Sequence, residues 1–258
     1  METSPEPWIK ALRTSHDRLQ ELVGPLGPDE LRQQSYDSEW SIAQVLSHLG
    51  SQGEIFGLFL DAALNGEDAP GRETFPAIWE AWNSRSPEQQ AADSLQVGEA
   101  VTQRFESLSQ DQLDKLRLSL FGMDLDAAGL ARVRLGEHAV HTWDVAVALD
   151  PSATVAPDAV SLLVDTLDGL AARAGRTDGH QPRRVRIATT SPDRRFTMDI
   201  GEAVTLTADD DQGSGPQLAM PAEALVRLTY GRLDPDHTPA VQGDAADLAE
   251  LREIFPGF

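Results

Sequence analysis

The sequence predicts a mainly α N-terminal four-helix bundle followed by a small α+β C-terminal domain with an antiparallel sheet. Three observations indicate this fold class. Apolar residues recur every three or four positions through the first 150 residues, and prolines break that pattern at 150–157. Beyond residue 182, short runs alternate between apolar and polar residues. The predicted domains are therefore residues 1–150 and residues 151–258.

The four helical segments of the first domain are predicted from their spacing and their terminal residues. They cover residues 8–23, 42–65, 87–108 and 126–148. Gly24-Pro25 ends the first helix, and Ser41-Ile-Ala-Gln44 has the form of a capping box that opens the second. Asn65-Gly66 is a C-terminal stop, and Ser86-Pro87 opens the third helix. Residues 116–121 are predicted to form a short extended segment between the last two helices.

The second domain is predicted to combine three strands with three helices. The strands cover residues 185–190, 195–200 and 203–207. The helices cover residues 159–174, 221–230 and 245–254. Ser191-Pro-Asp-Arg194 and Gly201-Glu202 supply the turns between consecutive strands.

Composition excludes several classes of function. The 258 residues hold 42 acidic and 21 basic side chains, a net charge of -21, so nucleic acid and anionic membranes are not expected partners. No apolar run approaches the roughly 20 residues that span a bilayer, and no signal peptide is visible. We therefore expect a cytoplasmic protein, as a monomer or weak homodimer. The chain has no cysteine, so any thiol chemistry needs a thiol from outside the chain.

The fourth predicted helix carries ionisable residues where its apolar face should be. Glu137, His141 and Asp144 follow one another at helical spacing, so they lie on one stripe that is apolar at both ends. Burying such groups is costly unless they are paired or bound to a cation. Residues four apart on a helix can hold one metal ion between them. Asp144 is interpreted as a supporting acid and not as a ligand.

His48 repeats this anomaly on the second helix, where it lies within an apolar stripe. Facing helices of a bundle commonly donate ligands to one metal in the core. Together with Glu137 and His141, His48 completes a set of two histidines and one carboxylate, which is typical of catalytic zinc with an open position. Such a set also binds Ni²⁺ or Co²⁺. A buried hydrogen-bonded network without metal would use the same residues.

Two further histidines have simpler interpretations. His16 lies on the apolar stripe of the first helix and is expected to be a core residue. His138 should point about 100° away from Glu137 around the helix, so we expect it to be exposed.

Three short motifs, in this order, resemble those of a known family. Trp40-Ser-Ile-Ala-Gln-Val-Leu-Ser-His48-Leu resembles the W-x(7)-H-L signature of DinB-like metal-binding bundles. Glu137-x-x-x-His141-x-x-Asp144 resembles the E-x-x-x-H-x-x-D signature of their mycothiol-dependent maleylpyruvate isomerase branch. Tyr230-Gly-Arg232, followed by Val241-Gln-Gly-Asp244, is similar to the C-terminal G-R…G-D pattern of that family.

The resemblance implies a site and a reaction. It implies a Zn²⁺ ion held by His48, Glu137 and His141, and a C-terminal domain like that of sterol-carrier proteins. It implies that Arg232 reaches toward the cofactor or a substrate carboxylate. The implied thiol cosubstrate is mycothiol, whose thiol pKa the zinc would lower. The resulting thiolate would add to an electrophilic small molecule, and rotation followed by elimination would isomerise it.

The resemblance also places Trp40, Trp82 and Asn83 beside the cofactor. In the maleylpyruvate enzymes an Arg-Asn pair aligns where this chain has Trp82-Asn83. An indole in place of that cation makes an apolar or aromatic electrophile as plausible as maleylpyruvate. Packing within a short helix is the alternative role of Trp82 and of Trp79.

Three hypotheses of function follow. The leading one is a zinc-dependent, mycothiol-utilising enzyme that adds the thiol to, or cis–trans isomerises, an electrophilic small molecule. The second is a zinc-dependent hydrolase that needs no thiol. The third is a non-catalytic small-molecule-binding protein in which the metal only braces the bundle.

Overall fold

A computed structural model describes residues 4–209, 215 and 217–257. The chain divides into two compact units, Met1–Ala153 and Thr154–Phe258. This boundary lies within residues 150–157, where prolines break the helical pattern of the sequence. Among the described residues, no helix is both long and apolar enough to cross a membrane.

The first unit is a bundle of four long helices, as the sequence predicts. Its elements are α1 (Glu6–Val23), α2 (Pro28–Leu31), α3 (Ile42–Asn65), a 3₁₀ turn (Arg72–Thr74), α4 (Phe75–Asn83), α5 (Pro87–Glu106), α6 (Gln110–Lys115), β1 (Leu118–Leu120), β2 (Met123–Leu125) and α7 (Ala127–Leu149). The long helices form a closed ring, because α1 and α3 each pack against both α5 and α7. The predicted extended segment is present as the antiparallel hairpin β1–β2.

Side-chain caps fix where the two helices that carry the candidate site begin. At the start of α3, the Ser41 hydroxyl accepts a hydrogen bond from the Gln44 backbone N–H, and Gln44 Oε1 accepts one from the Ser41 N–H. This is the predicted capping box. At the start of α7, Asp126 Oδ1 accepts a 2.7 Å hydrogen bond from the Gly129 N–H. The caps thus define where each helix begins, and residues three or four apart along it share one face.

The second unit is an α+β unit built on a five-stranded sheet. Its elements are α8 (Pro157–Leu163), a 3₁₀ turn (Val164–Thr166), α9 (Asp168–Ala174), β3 (Arg183–Thr190), β4 (Arg194–Ile200), β5 (Val204–Ala208), β6 (Leu218–Pro221), α10 (Ala222–Thr229), β7 (Gln242–Gly243) and α11 (Ala245–Ile254). The strand order is β5-β4-β3-β6-β7, and neighbours pair antiparallel except for the parallel pair β3–β6. The predicted antiparallel sheet is therefore mixed at this one position.

The predicted helix over 159–174 is interrupted in the structure. It is divided into α8 and α9 by the 3₁₀ turn Val164–Thr166. The Thr166 hydroxyl donates a 3.0 Å hydrogen bond to the Leu163 carbonyl, three residues earlier. A threonine hydroxyl that bonds back to the chain offers a carbonyl an alternative to the α-helical bond, and this tightens the turn.

Gly50 in α3 is required by the packing of α4, whereas Gly57 in the same helix is not. A Cβ added at Gly50 would lie 2.1 Å from the Trp82 ring, while a Cβ at Gly57 would meet its nearest neighbour, Val101, at 3.8 Å. We expect Gly50→Ala to lower the free energy of unfolding by about 1–3 kcal/mol through overpacking. Gly57→Ala should raise it by about 0.5–1 kcal/mol, because alanine favours the helix. Urea denaturation of both variants checks this, and equal effects would contradict it.

Candidate metal centre

Three side chains that could each supply a metal ligand come together from two helices of the bundle. His48 comes from α3, and Glu137 and His141 come from α7; one ligand atom of each lies within 4.8 Å of the others. Glu137 Oε2 lies 3.6 Å from His48 Nε2 and 3.7 Å from His141 Nε2. The structure therefore brings together the three residues that sequence spacing singled out.

Asp144 fixes the orientation of His141. Its carboxylate is fully buried, and Oδ2 lies 2.8 Å from His141 Nδ1. An ionised carboxylate only accepts hydrogen bonds, so Nδ1 is the protonated ring nitrogen. The lone pair of a neutral imidazole is then on Nε2, on the side of Glu137. A carboxylate behind a histidine is the usual support of a metal-ligating imidazole.

Glu137 has a similar support, which sequence reasoning did not assign. Gln52 Nε2 donates a 2.8 Å hydrogen bond to Glu137 Oε2, and Gln52 Oε1 accepts one of 2.6 Å from Arg134 Nη1. Arg134 is 2% exposed and also donates to the Leu49 carbonyl. Gln52 lies four residues after His48, and Arg134 lies three before Glu137. Because residues three or four apart share one helix face, this spacing is the sequence signal that could have identified Gln52 and Arg134.

The pKa values of the three site residues follow from burial and from these contacts. Burial would raise the pKa of Glu137, but the imidazoles of His141 and His48 outweigh it and hold that pKa well below its ordinary value. Burial would lower the pKa of His141, but the hydrogen bond to Asp144 and the nearby Glu137 raise it to about 9. Burial lowers the pKa of His48. Glu137 thus lies between two imidazoles whose pKa values are shifted in opposite directions, raised for His141 and lowered for His48.

These residues fit a divalent metal ion such as Zn²⁺. His48 Nε2 is buried and makes no hydrogen bond to any described residue. Zinc binds nitrogen and oxygen at about 2.0–2.2 Å in tetrahedral sites, which sets neighbouring ligand atoms about 3.4 Å apart. The observed separations of 3.6 and 3.7 Å are close to that spacing. A cation between the three would satisfy the orphaned nitrogen.

A cavity of about 390 Å³ lies beside His48. It is lined by Trp40, Gln44, His48, Ser51, Trp79 and Asn83. The Trp40 ring packs 5.2 Å from the His48 ring and 6.5 Å from the His141 ring, measured between centroids. Of the predicted cofactor contacts in this unit, Trp40 and Asn83 therefore line a cavity that reaches the candidate centre.

Trp82 lies elsewhere, and this corrects the sequence-based expectation of a ligand contact. Its side chain is 1% exposed, and its Nε1 donates a 2.8 Å hydrogen bond to Glu54. The Arg85 guanidinium lies 3.7 Å from its ring centroid. Trp82 packs in the core as its alternative interpretation held, and the indole of α4 that lines the cavity is Trp79.

His138 corrects a second expectation. It was predicted to be exposed, but it is 2% exposed, and its Nδ1 lies 2.8 Å from the Ser15 hydroxyl. The reason is the closed ring of helices: α7 packs on α3 with one face and on α1 with another. His16, predicted to be a core residue, is 1% exposed and lies beside it, with ring centroids 6.1 Å apart. Burial holds the pKa of His138 well below its ordinary value.

Arg232 belongs to the second unit, in the loop after α10. Gly231 has φ +70°, and a Cβ there would lie 2.2 Å from the Gly257 backbone nitrogen, so the Gly-Arg motif needs its glycine. Arg232 Nη1 donates to the Tyr230 carbonyl, and the buried Arg227 donates to the Arg232 carbonyl. Arg227, which sequence reasoning missed, thus braces the loop that carries Arg232.

The fold and this site define a class: a helical bundle with a candidate two-histidine, one-carboxylate metal centre between two helices, joined to a small α+β unit. Residues 12–146, more than half of the chain, match the family described as the mycothiol maleylpyruvate isomerase N-terminal domain. The chain therefore belongs to the mycothiol-dependent maleylpyruvate isomerase family.

Two solved structures are similar over nearly the whole chain. One is a histidine-to-alanine mutant of the mycothiol-dependent maleylpyruvate isomerase, 12% identical with a TM-score of 0.68, covering 94% of this chain and 95% of that one. The other is the mycothiol-dependent maleylpyruvate isomerase itself, 13% identical with a TM-score of 0.66, covering 90% and 91%. No curated protein sequence matches the chain. At this identity the two structures establish the shared fold.

Proposed function

We propose that this protein is a zinc-dependent, mycothiol-utilising enzyme of the cytoplasm that adds the thiol to, or cis–trans isomerises, an electrophilic small molecule. The observation that supports it best is the meeting of His48, Glu137 and His141 beside a cavity. Membership of a family of mycothiol-dependent isomerases supplies the thiol. The absence of cysteine from the sequence agrees with a thiol that comes from outside the chain.

Each residue of the site has a definite task in this proposal. His48, Glu137 and His141 would hold the metal, and bound Zn²⁺ supplies a Lewis acid that lowers the pKa of a thiol. Asp144 keeps Nδ1 of His141 protonated, so that its Nε2 stays available as a ligand atom. Trp40 packs beside both imidazole rings and would help to orient them.

The second unit would contribute through Arg232. A guanidinium donates several hydrogen bonds in a fixed geometry, so Arg232 suits oxygen acceptors of the thiol cosubstrate or a carboxylate of the substrate. The positive φ of Gly231 and the bond from Arg227 hold the backbone of its loop. This assigns Arg232 to binding.

We expect tag-free protein to contain about one zinc ion per chain by elemental analysis. His48→Ala and His141→Ala should each lose it, because removing one of three protein ligands leaves too few for stable binding. His180→Ala, a histidine of the second unit, is the control and should keep the metal. Circular dichroism establishes that each variant is folded. A metal-free wild type, or full zinc in His48→Ala, would refute the metal centre.

The hydrogen-bonded support of Glu137 provides a second test. We expect Gln52→Leu to weaken Zn²⁺ binding about 10- to 100-fold, as is typical when the partner of a metal ligand is removed. Gln90→Leu is a matched control, since Gln90 is also buried but bonds to the Trp82 carbonyl. Both changes should cost about 1–3 kcal/mol of stability through a lost buried hydrogen bond. Competition titration with a metal chelator measures the affinity, and equal affinities in the two variants would exclude this role.

Turnover should depend on the thiol. We expect electrophile consumption with mycothiol present and none without it, and Arg232→Ala should lower kcat/KM at least tenfold through the loss of its charged hydrogen bonds to cosubstrate or substrate. Arg184→Ala, which breaks a surface ion pair with Asp199, should leave kcat/KM unchanged. Turnover without a thiol would favour the hydrolase instead. No turnover with any electrophile, together with unchanged ligand binding in Arg232→Ala, would favour the binding protein.

A further inference from the structure

The cavity beside His48 is walled by aromatic rings. Trp40 stacks against the imidazoles, and Trp79 lines the same space from α4. Trp79 leaves 44% of its surface exposed, which makes it one of three large apolar side chains exposed among the described residues. Indole rings bind flat conjugated molecules by stacking, in addition to the area they bury. The volume of about 390 Å³ is within the usual range for a small-molecule site.

Two of the side chains that line the cavity, Gln44 and Asn83, are neutral amides whose NH₂ groups can donate hydrogen bonds to a ligand. Gln44 Oε1 already accepts the Ser41 N–H of the helix cap, and Asn83 Oδ1 accepts the Ser47 hydroxyl. Both amide oxygens are therefore used, whereas neither amide NH₂ group has an acceptor within the described part of the chain. The cavity thus offers N–H donors to a ligand that brings a neutral acceptor such as a carbonyl oxygen.

Charge around the cavity disfavours an anion. Apart from His48, none of the lining side chains is ionisable. The two nearby arginines of this unit are engaged elsewhere: Arg134 is buried against Gln52, and Arg85 stacks on Trp82 and pairs with Asp93. Residues 1–150 carry 11 basic and 25 acidic side chains, 11 − 25 = −14. Apart from the candidate metal centre at His48, a dicarboxylate would thus find no cation on this wall, and the acidic unit around the cavity would oppose its approach.

We propose that the electrophile taken by this cavity is a planar, uncharged aryl-conjugated carbonyl compound, such as an aryl α,β-unsaturated ketone, and not an aliphatic dicarboxylate. The proposal rests on the proposed function. In the reaction, the thiol sulfur bonds to the β-carbon, the carbon–carbon π bond breaks, and its electrons move toward the carbonyl. The amide donors of Gln44 and Asn83 stabilise the enolate oxygen, and the proton lost by the thiol ends on the α-carbon. The product is a thioether, and no oxidant or reductant is needed.

Binding can be tested without thiol or turnover. The probe is 4-phenylbutan-2-one, a ketone that carries a phenyl ring on a saturated linker and so has no alkene to attack; it is compared with maleate, and calorimetry measures both with the whole protein. We expect the ketone to bind at least tenfold more tightly than maleate. Trp79→Ala should weaken ketone binding about tenfold, within the range of one lost aromatic stack. Leu58→Ala is the control, because Leu58 is equally exposed but does not line the cavity.

The wild-type comparison decides the matter even if Trp79→Ala does not fold, and each outcome has a separate meaning. Tighter binding of maleate, or unchanged ketone binding in a folded Trp79→Ala, would overturn the aromatic substrate class. If thiol-dependent turnover then occurred with dicarboxylates only, the proposed function would stand while this inference failed. If the ketone bound as expected but no electrophile turned over with thiol, the proposed function would fail and the aromatic cavity would remain a binding site.

Discussion

The structure depends on satisfying charge in the middle of a helical bundle. A buried carboxylate or guanidinium is too costly to keep alone, so each must have a partner. Here the partners form one continuous series of contacts across two helices, from the Asp144 carboxylate at one end to the Arg134 guanidinium at the other. Its members are Asp144, His141, Glu137, Gln52 and Arg134. Arg134 balances the charge of Glu137 through the neutral amide between them, and the Glu137 oxygen that accepts from Gln52, Oε2, is also the one that faces both imidazoles.

This series of contacts requires α3 and α7 to hold a fixed rotation about their axes. One residue of slippage turns a helix by about 100°, which would remove His48 or Glu137 from the meeting point. The caps at Ser41 and Asp126 define where the two helices begin, and the packing of α3 and α7 against each other and against α5 and α1 sets their rotation. The packing that closes the bundle therefore also determines which side chains converge.

Sequence periodicity predicted the four helices, the capping box and the shared face of Glu137 and His141 because each depends on spacing within one helix. His48 was added to that pair because facing helices of a bundle commonly share a metal. It could not predict features that depend on two neighbours at once. His138 is buried because α7 packs on α1 as well as on α3, and a single apolar stripe describes only one of those contacts. The parallel pairing of β3 and β6 escaped prediction because β6 and β7 were not among the three predicted strands. With 4 and 2 residues, they are too short to show a clear alternation. The support from Gln52 and Arg134 needed a contact between helices.

Trp82 is buried and Trp79 lines the cavity, whereas the sequence-based expectation put Trp82 beside the ligand, and one glycine of α3 explains both positions. Gly50 has no side chain, and the Trp82 ring occupies the space that a Cβ would need. That close approach anchors the end of α4 on α3, where Trp82 is fixed by Glu54 and Arg85. Trp79 lies almost one turn earlier in α4, so it emerges at the rim of the cavity instead of in the core. A glycine with no chemical role thus determines which indole lines the cavity beside the candidate metal centre.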